Sequence, residues 1–182
     1  MILLRDVEQK DRDTIREWRN MSEVAKFMFN DHQISDEEHR RWFERIQSDQ
    51  SCKHWIIVYD DRDVGSASIY DIDTKNSRCY WGSYIANPND RGKGVGAIVR
   101  YSVFKHVFEV LELNKICAEV MSFNTTVLST HEKIGLQREG VLREHVVKGG
   151  VPHDVVCTAL LRREWQELKP GIEGWLRARG LI

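Results

Sequence analysis

The stretch that most restricts how this chain can fold is Asn87-Pro-Asn-Asp-Arg-Gly-Lys-Gly-Val-Gly-Ala97. An apolar and aromatic run, Cys79 to Ile85, leads into it, and a long amphipathic segment from Val95 to about Leu111 leads out. Strand, glycine-rich turn and helix in that order present unpaired backbone N–H groups and the positive helix end to an anion, most naturally a pyrophosphate. Glycine removes the Cβ that would hold a ligand away from the backbone. Such a stretch can also be a plain turn, so its surroundings have to decide.

Ile2 to Val7 reads as a first strand, and Asp11 to about Asn20 as a helix with Ile15 and Trp18 on one face. Ser35-Asp-Glu-Glu38 has the pattern of a capping box, predicting a helix from Asp36 to about Gln47 that buries Trp42, Phe43 and Ile46. Trp55–Tyr59, Val64–Ile72 and Arg78–Ile85 read as three hairpin-linked, antiparallel strands, with turns at Asp60–Asp63 and Asp73–Ser77. After the glycine loop, Val95, Ile98, Val99, Val103, Val107 and Val110 fall on one helical stripe. Asn114–Met121 is then a strand that a helical crossover places parallel to Cys79–Ile85. Asn124 caps a short helix through Lys133 that ends at Gly135, and Glu139–Val147 with His153–Leu161 form a last hairpin across Gly149-Gly150. Trp165–Leu168 and Gly174–Arg179 read as two tail helices interrupted by Pro170-Gly171.

The expectation is an α/β (α+β) fold in one domain over 1–182, with a core over about 2–165 and a helical tail over 163–182. No repeat, low-complexity tract or linker interrupts it. With 27 Lys+Arg against 28 Asp+Glu, the net charge of −1 gives no electrostatic case for nucleic acid or an anionic membrane as partner. The N-terminus is charged too soon for a signal peptide, and no apolar run approaches membrane-spanning length, so a cytoplasmic protein is expected. Cys52, Cys79, Cys117 and Cys157 lack the spacing of a zinc site and read as reduced thiols; no metal is expected.

Two motifs, together with this order of elements, resemble the GNAT family of N-acetyltransferases. Arg91-Gly-Lys-Gly-Val-Gly96 fits that family's Arg/Gln-x-x-Gly-x-Gly/Ala acyl-CoA loop. Asn124-Thr-Thr-Val-Leu-Ser-Thr-His-Glu-Lys-Ile-Gly-Leu136 fits its second motif, usually Asn-x-x-Ala-x-x-x-Tyr-x-Lys-x-Gly-Phe. The resemblance covers about Leu3 to Trp165. It implies a mostly antiparallel sheet of about seven strands with a central, splayed parallel pair. It also implies direct acetyl transfer from acetyl-CoA to a primary amine. The pyrophosphate would rest on the amides of Gly92, Lys93, Gly94, Val95 and Gly96, with Arg91 and Lys93 adding positive charge. The pantetheine would pair like a strand with Tyr84, Ile85 and Ala86, Asn124 would hydrogen-bond it, and Lys133 would join the donor contacts. A backbone N–H near Ile85 would polarise the thioester carbonyl.

The chain departs from the pattern at His131, which stands where the family's tyrosine protonates the leaving thiolate. Imidazole can serve as that acid near neutral pH; alternatively the thiolate leaves unaided or through water. Glu119 and Tyr84, on the two splaying strands, are the candidate bases or water ligands, although a strand carboxylate can equally be solvated or paired. His32 and His153 lie in loops within reach of the acceptor, and Trp42 with Phe43 reads as core.

The N-terminal half carries a narrower resemblance. Trp18-Arg-Asn20, Phe27-Met28, His32, Ile34-Ser35, Glu37-Glu38-His39 and Trp42-Phe43 are similar to a pattern shared by ribosomal-protein-type acetyltransferases and, more closely, the pseudaminic acid pathway N-acetyltransferases. The latter acetylate the 4-amino group of a UDP-linked amino sugar destined for flagellin glycan. On that resemblance Arg19, Asn20, Phe27, Met28 and His32 line the acceptor side, Arg19 facing phosphate. The competing acceptors are a ribosomal protein N-terminus, a polyamine or another small amine; a non-catalytic CoA-binding sensor is the reading from a different class. Either way the partner is a small molecule or peptide amine, and a homodimer is left open.

Overall fold

The computed structural model describes residues 1–182 and contains seven strands and six α-helices. The strands are β1 (Ile2–Asp6), β2 (Lys53–Tyr59), β3 (Arg62–Asp73), β4 (Arg78–Ile85), β5 (Lys115–Met121), β6 (Gln137–Lys148) and β7 (Val151–Leu161). The helices are α1 (Arg12–Asn20), α2 (Ser22–Ala25), α3 (Asp36–Ile46), α4 (Val95–Lys105), α5 (Thr125–Lys133) and α6 (Arg162–Arg177). One sheet runs in the order β1-β2-β3-β4-β5-β7-β6, and only β4 and β5 are parallel.

Local chemistry explains the hairpins. The β2–β3 turn is Asp60-Asp61 with φ +48° and +59°, and the β6–β7 turn is Gly149-Gly150 with φ +56° and +80°. Two-residue turns with both φ positive match the twist of the strands they join. Glycine takes that conformation freely; Asp60 is held there with its carboxylate on the N-terminal ammonium at 2.7 Å.

Alternation along the strands sorts side chains onto two faces. On one face Trp55, Ile57, Ala67, Ile69, Cys79, Trp81, Ile116 and Ala118 meet α4, with Trp165 of α6 against Phe104 and Phe108. On the other, Ile56 packs with Ile15 of α1 and Phe43 of α3, with Trp42 and Ile46 half-buried beside them.

Three local expectations are corrected. The tail is one helix, α6, that continues through Pro170. Proline removes one helical hydrogen bond, but buried Trp165 and Leu176 and the ion pairs Lys169–Glu109 and Lys169–Glu173 fix the helix on both sides of it. The Ser35 hydroxyl does accept from the Glu38 amide at 3.2 Å, but the Glu38 carboxylate turns to His32 at 2.9 Å instead of closing the capping box. Asn124 stands at the N-cap of α5 without a side-chain capping bond, which leaves its amide group unspent.

The feature that positions the site is a gap. β4 and β5 pair only over Arg78–Tyr80 and Lys115–Cys117, and beyond those residues the two strands part.

Candidate active site

Helix α4 starts against this gap. Gly94 is its N-cap at φ +84°, and Gly92 lies at φ +77°, where a side chain would be strained. The amides of Ala97 and Ile98 both donate to Gly94 O, at 2.9 and 3.2 Å, while those from Gly92 to Gly96 donate to nothing in the chain. Five consecutive unpaired N–H groups at a helix N-terminus suit a pyrophosphate. Lys93 Nζ lies 3.5 Å from Asp90 and over the Tyr59 ring. Arg91 turns away from the loop: its guanidinium donates to Ile85 O at 3.0 Å and to Glu23 O at 3.4 Å, tying the end of β4 to α2.

Ala86 N–H donates to Val64 O in β3, at 2.9 Å. The alternation of an antiparallel ladder therefore turns the N–H of Ile85 the other way, into the gap, where β5 has left the ladder. A cavity of about 620 Å³ passes through the sheet there. On the α4 face it meets Trp81, Ala118, Arg100, Asn124 and His131; on the opposite face it meets Gly82, Tyr84, Glu119, Tyr70 and Ser66.

His131 is buried on the α4 face, its Nδ1 3.0 Å from Thr158 Oγ1 and its ring against Trp81. Burial, with the Arg100 cation adding to it, pushes its pKa down to about 4, so the ring is neutral near pH 7. An imidazolium is thus not the resting proton source. Tyr84 Oη is buried with no hydrogen-bond partner; the Ser66 hydroxyl across the ladder donates to Trp55 O at 3.0 Å. Burial raises the pKa of Tyr84, outweighing the nearby Arg19 cation and the adjacent Ser66 hydroxyl, which keeps the phenol protonated and makes it a donor, not a base, at neutral pH. Glu119 carries no ion pair or hydrogen bond, and its charge joins burial in pushing Tyr70 up to about 12. Lys133 is exposed at the end of α5 and lines neither cavity described here.

A second cavity, of about 590 Å³, adjoins the first; Arg19, Trp42, Arg45, His54, Ser66, Ser68 and Tyr84 line both. Arg19 donates to Asn30 Oδ1 at 2.9 Å, its Nε is buried without a partner, and no carboxylate pairs with it. Arg45 is exposed and likewise has no ion pair, whereas Glu37 and Glu38 in the same wall are engaged by Arg41 and His32. Phe27 and Met28 line the through-sheet cavity. Asn20 and His32 line neither: the Asn20 amide group brackets Ile34, accepting from its N–H at 2.8 Å and donating to its carbonyl at 2.9 Å. His153 packs edge-on against Phe123.

The sequence alone assigned no role at this site to Arg100, His54, Ser66, Ser68 or Lys148. Lys148 Nζ donates to the carbonyls of Ala25, Met28 and Asn30, at 3.2, 2.8 and 3.0 Å, and so fixes the segment that carries Phe27 and Met28. Nothing in the local pattern of β6 announces a contact with a loop more than a hundred residues earlier. Ser66 and Ser68 were legible only as polar alternates within an apolar strand, and Arg100 as the one cation on the first turns of an apolar helix.

A free-amide helix start, a split parallel pair and a cavity joining the two faces describe a site for acyl transfer, and comparison with known proteins bears on it directly. The acetyltransferase (GNAT) domain profile matches residues 1–137 of the 182. The chain is a GNAT acetyltransferase. As such it transfers an acetyl group from acetyl-CoA to an amine. Acetyltransferase PseH of Campylobacter jejuni subsp. jejuni (serotype O:23/36, strain 81-176) is 30% identical over 128 residues, 70% of this chain and 78% of the relative. YdaF of Bacillus subtilis (strain 168), named for ribosomal N-acetylation, is 28% identical over 173 residues, 91% and 93% of the two chains. Among solved structures, the spermidine N-acetyltransferase of Vibrio cholerae in complex with CoA and spermine superposes with a TM-score of 0.84 at 20% identity, covering 91% of this chain and 98% of that one. At that identity the likeness is one of fold. No helix in this GNAT protein is long and apolar enough to cross a membrane. No group of three or more His, Cys, Asp or Glu side chains could hold a metal ion.

Proposed function

We propose that this acetyltransferase acts as one domain and acetylates the 4-amino group of a UDP-linked amino sugar, a step in making the pseudaminic-acid-type glycan of flagellin. The observation that carries the reading is the charge of the acceptor cavity. Arg19 and Arg45 face it without carboxylate partners, half-buried Trp42 forms its wall, and the nearby acids Glu37 and Glu38 are already paired. Unpaired guanidinium groups suit a diphosphate, and an indole face suits a nucleobase. A polyamine, all cation, would be repelled at the same wall. Glu119 at the inner end has no ion pair or hydrogen bond and is free to attract the acceptor's ammonium; Asp49 and Asp71 line the same cavity. The PseH relative supports the same acceptor class.

In this reading the acetyl-CoA pyrophosphate sits on the Gly92–Gly96 amides and the pantetheine fills the gap between β4 and β5, with Asn124 free to bond it. Ile85 N–H polarises the thioester carbonyl. Glu119, directly or through water, takes the proton from the ammonium; the freed amine attacks the carbonyl carbon, the C–S bond of the tetrahedral adduct breaks, and the proton that the nitrogen sheds on becoming an amide passes to the departing thiolate. The Tyr84 phenol lines the same cavity and, staying protonated, can relay that proton from nitrogen to sulfur. His131, neutral, borders the donor.

A thiol-release assay across UDP-amino sugars, polyamines and ribosomal N-terminal peptides tests the acceptor. Turnover is expected with the nucleotide sugar, and Arg19→Met should raise its KM roughly tenfold or more, the worth of one charge-assisted phosphate contact. Turnover confined to peptides or polyamines would replace this reading with the YdaF-like or spermidine-type one.

A further inference from the structure

Arg100 is a cation with no counter-ion. It lies on α4 one turn after Gly96, and its guanidinium folds back onto the start of the helix: a Cβ on Gly96 would stand 3.3 Å from Arg100 Nη1. Its Nε is buried and unpartnered, it forms no ion pair, and burial alone lowers its pKa, with no carboxylate near enough to oppose that. Withdrawing a guanidinium from water without a partner is costly, and the usual repayment is an anion. The chain supplies none, but the cavity that Arg100 lines is the one that takes the donor.

We propose that Arg100 is a further donor-binding residue, held beside Gly96 to pair with the pyrophosphate of acetyl-CoA. The inference rests on the reading of the Gly92–Gly96 amides as the pyrophosphate cradle. It assigns to Arg100 the positive charge that Arg91, tied to Ile85 O and Glu23 O, does not deliver. The loop supplies N–H donors, and Arg100 adds the charge from the helix side, next to the third glycine. A Cβ on Gly96 would crowd the guanidinium, which gives that glycine a role beyond backbone approach.

Three donors separate the outcomes: acetyl-CoA, 3′-dephospho-acetyl-CoA and acetyl-pantetheine, measured with wild type, Arg100→Met and Arg100→Lys. Arg100→Met is expected to raise KM for the first two alike, roughly 10- to 100-fold as for a charge-assisted contact, and to leave acetyl-pantetheine within about twofold. Arg100→Lys should recover part of the loss. The apo Arg100→Met protein should melt no lower than wild type, because the substitution removes a half-buried charge that has no counter-ion. Equal losses on all three donors would make Arg100 a packing residue. Loss with acetyl-CoA alone would move its partner to the ribose 3′-phosphate, and no loss would leave the cation without this role; each overturns the proposal. If wild type itself does not prefer the two pyrophosphate-bearing donors over acetyl-pantetheine, the cradle reading fails first.

Discussion

His54 and His131 sit on opposite faces of the sheet, and burial pushes each down to about 4 from an ordinary 6.5. The unfolded chain binds these protons near pH 6.5 and the folded protein only near pH 4, so acid favours unfolding between those values. The stability involved is fully present above the unfolded value and is lost as pH falls through the folded one. Each histidine should cost about 2 kcal/mol between pH 7 and pH 5. Urea unfolding at the two pH values checks this: His54→Gln and His131→Gln should each remove that share of the difference, and an unchanged difference would mean the rings are hydrated. Near neutral pH the kcat profile should show no ionisation from His131, and His131→Ala should lower kcat only modestly. Tyr84→Phe should lower kcat by about 100-fold with little change in KM for acetyl-CoA, the scale of lost general acid catalysis.

Two elements carry backbone constraints that can be tested in the same way. β3 passes β4 so closely at Gly65 that a Cβ there would stand 2.1 Å from Tyr84 O. A backbone oxygen cannot swing aside like a side chain, so Gly65→Ala must push β4 away from β3. The expected loss is about 1–3 kcal/mol or more in stability, together with a higher KM for acetyl-CoA, since Ile85 N–H sits on the displaced strand. Stability loss with unaltered KM would detach β4 geometry from donor binding. Pro170 offers the opposite case, an exposed proline inside α6. Pro170→Ala should restore a hydrogen bond and relieve the ring's clash, raising stability by about 1–3 kcal/mol. A fall in melting temperature would mean that α6 needs the proline to seat Leu176.

At the scale of the molecule, the gap between β4 and β5 makes stability depend on the donor. The strands share only three paired positions, and the cavity opens beyond them. Acetyl-CoA at 100 times its Kd should add about 2.7 kcal/mol by mass action. Hydrogen exchange should slow at Ile85 and from Gly92 to Gly96, the amides that have no partner in the free chain. Protection confined to the β6–β7 hairpin would place the donor elsewhere.

The chain by itself determined most of its elements, its hairpins and its family. Period-two alternation, a 3.6-residue stripe, glycine pairs and the Arg91–Gly96 and Asn124–Leu136 motifs are local patterns, and local chemistry reads them. It placed the parallel pair through the handedness of crossovers, and it marked Glu119, Tyr84 and the glycine loop as chemistry-bearing. Tertiary structure decided which way side chains face and what they are paired with. Arg91 fits the motif but is spent on backbone carbonyls, while Arg100, outside it, is left without a counter-ion. Asn20 and His32 belong to the pattern, yet one brackets Ile34 and the other meets Glu38, while Arg19 is left free of any carboxylate. A residue's charge is written in the sequence; whether that charge is already satisfied depends on partners brought from tens of residues away, and only the fold supplies those.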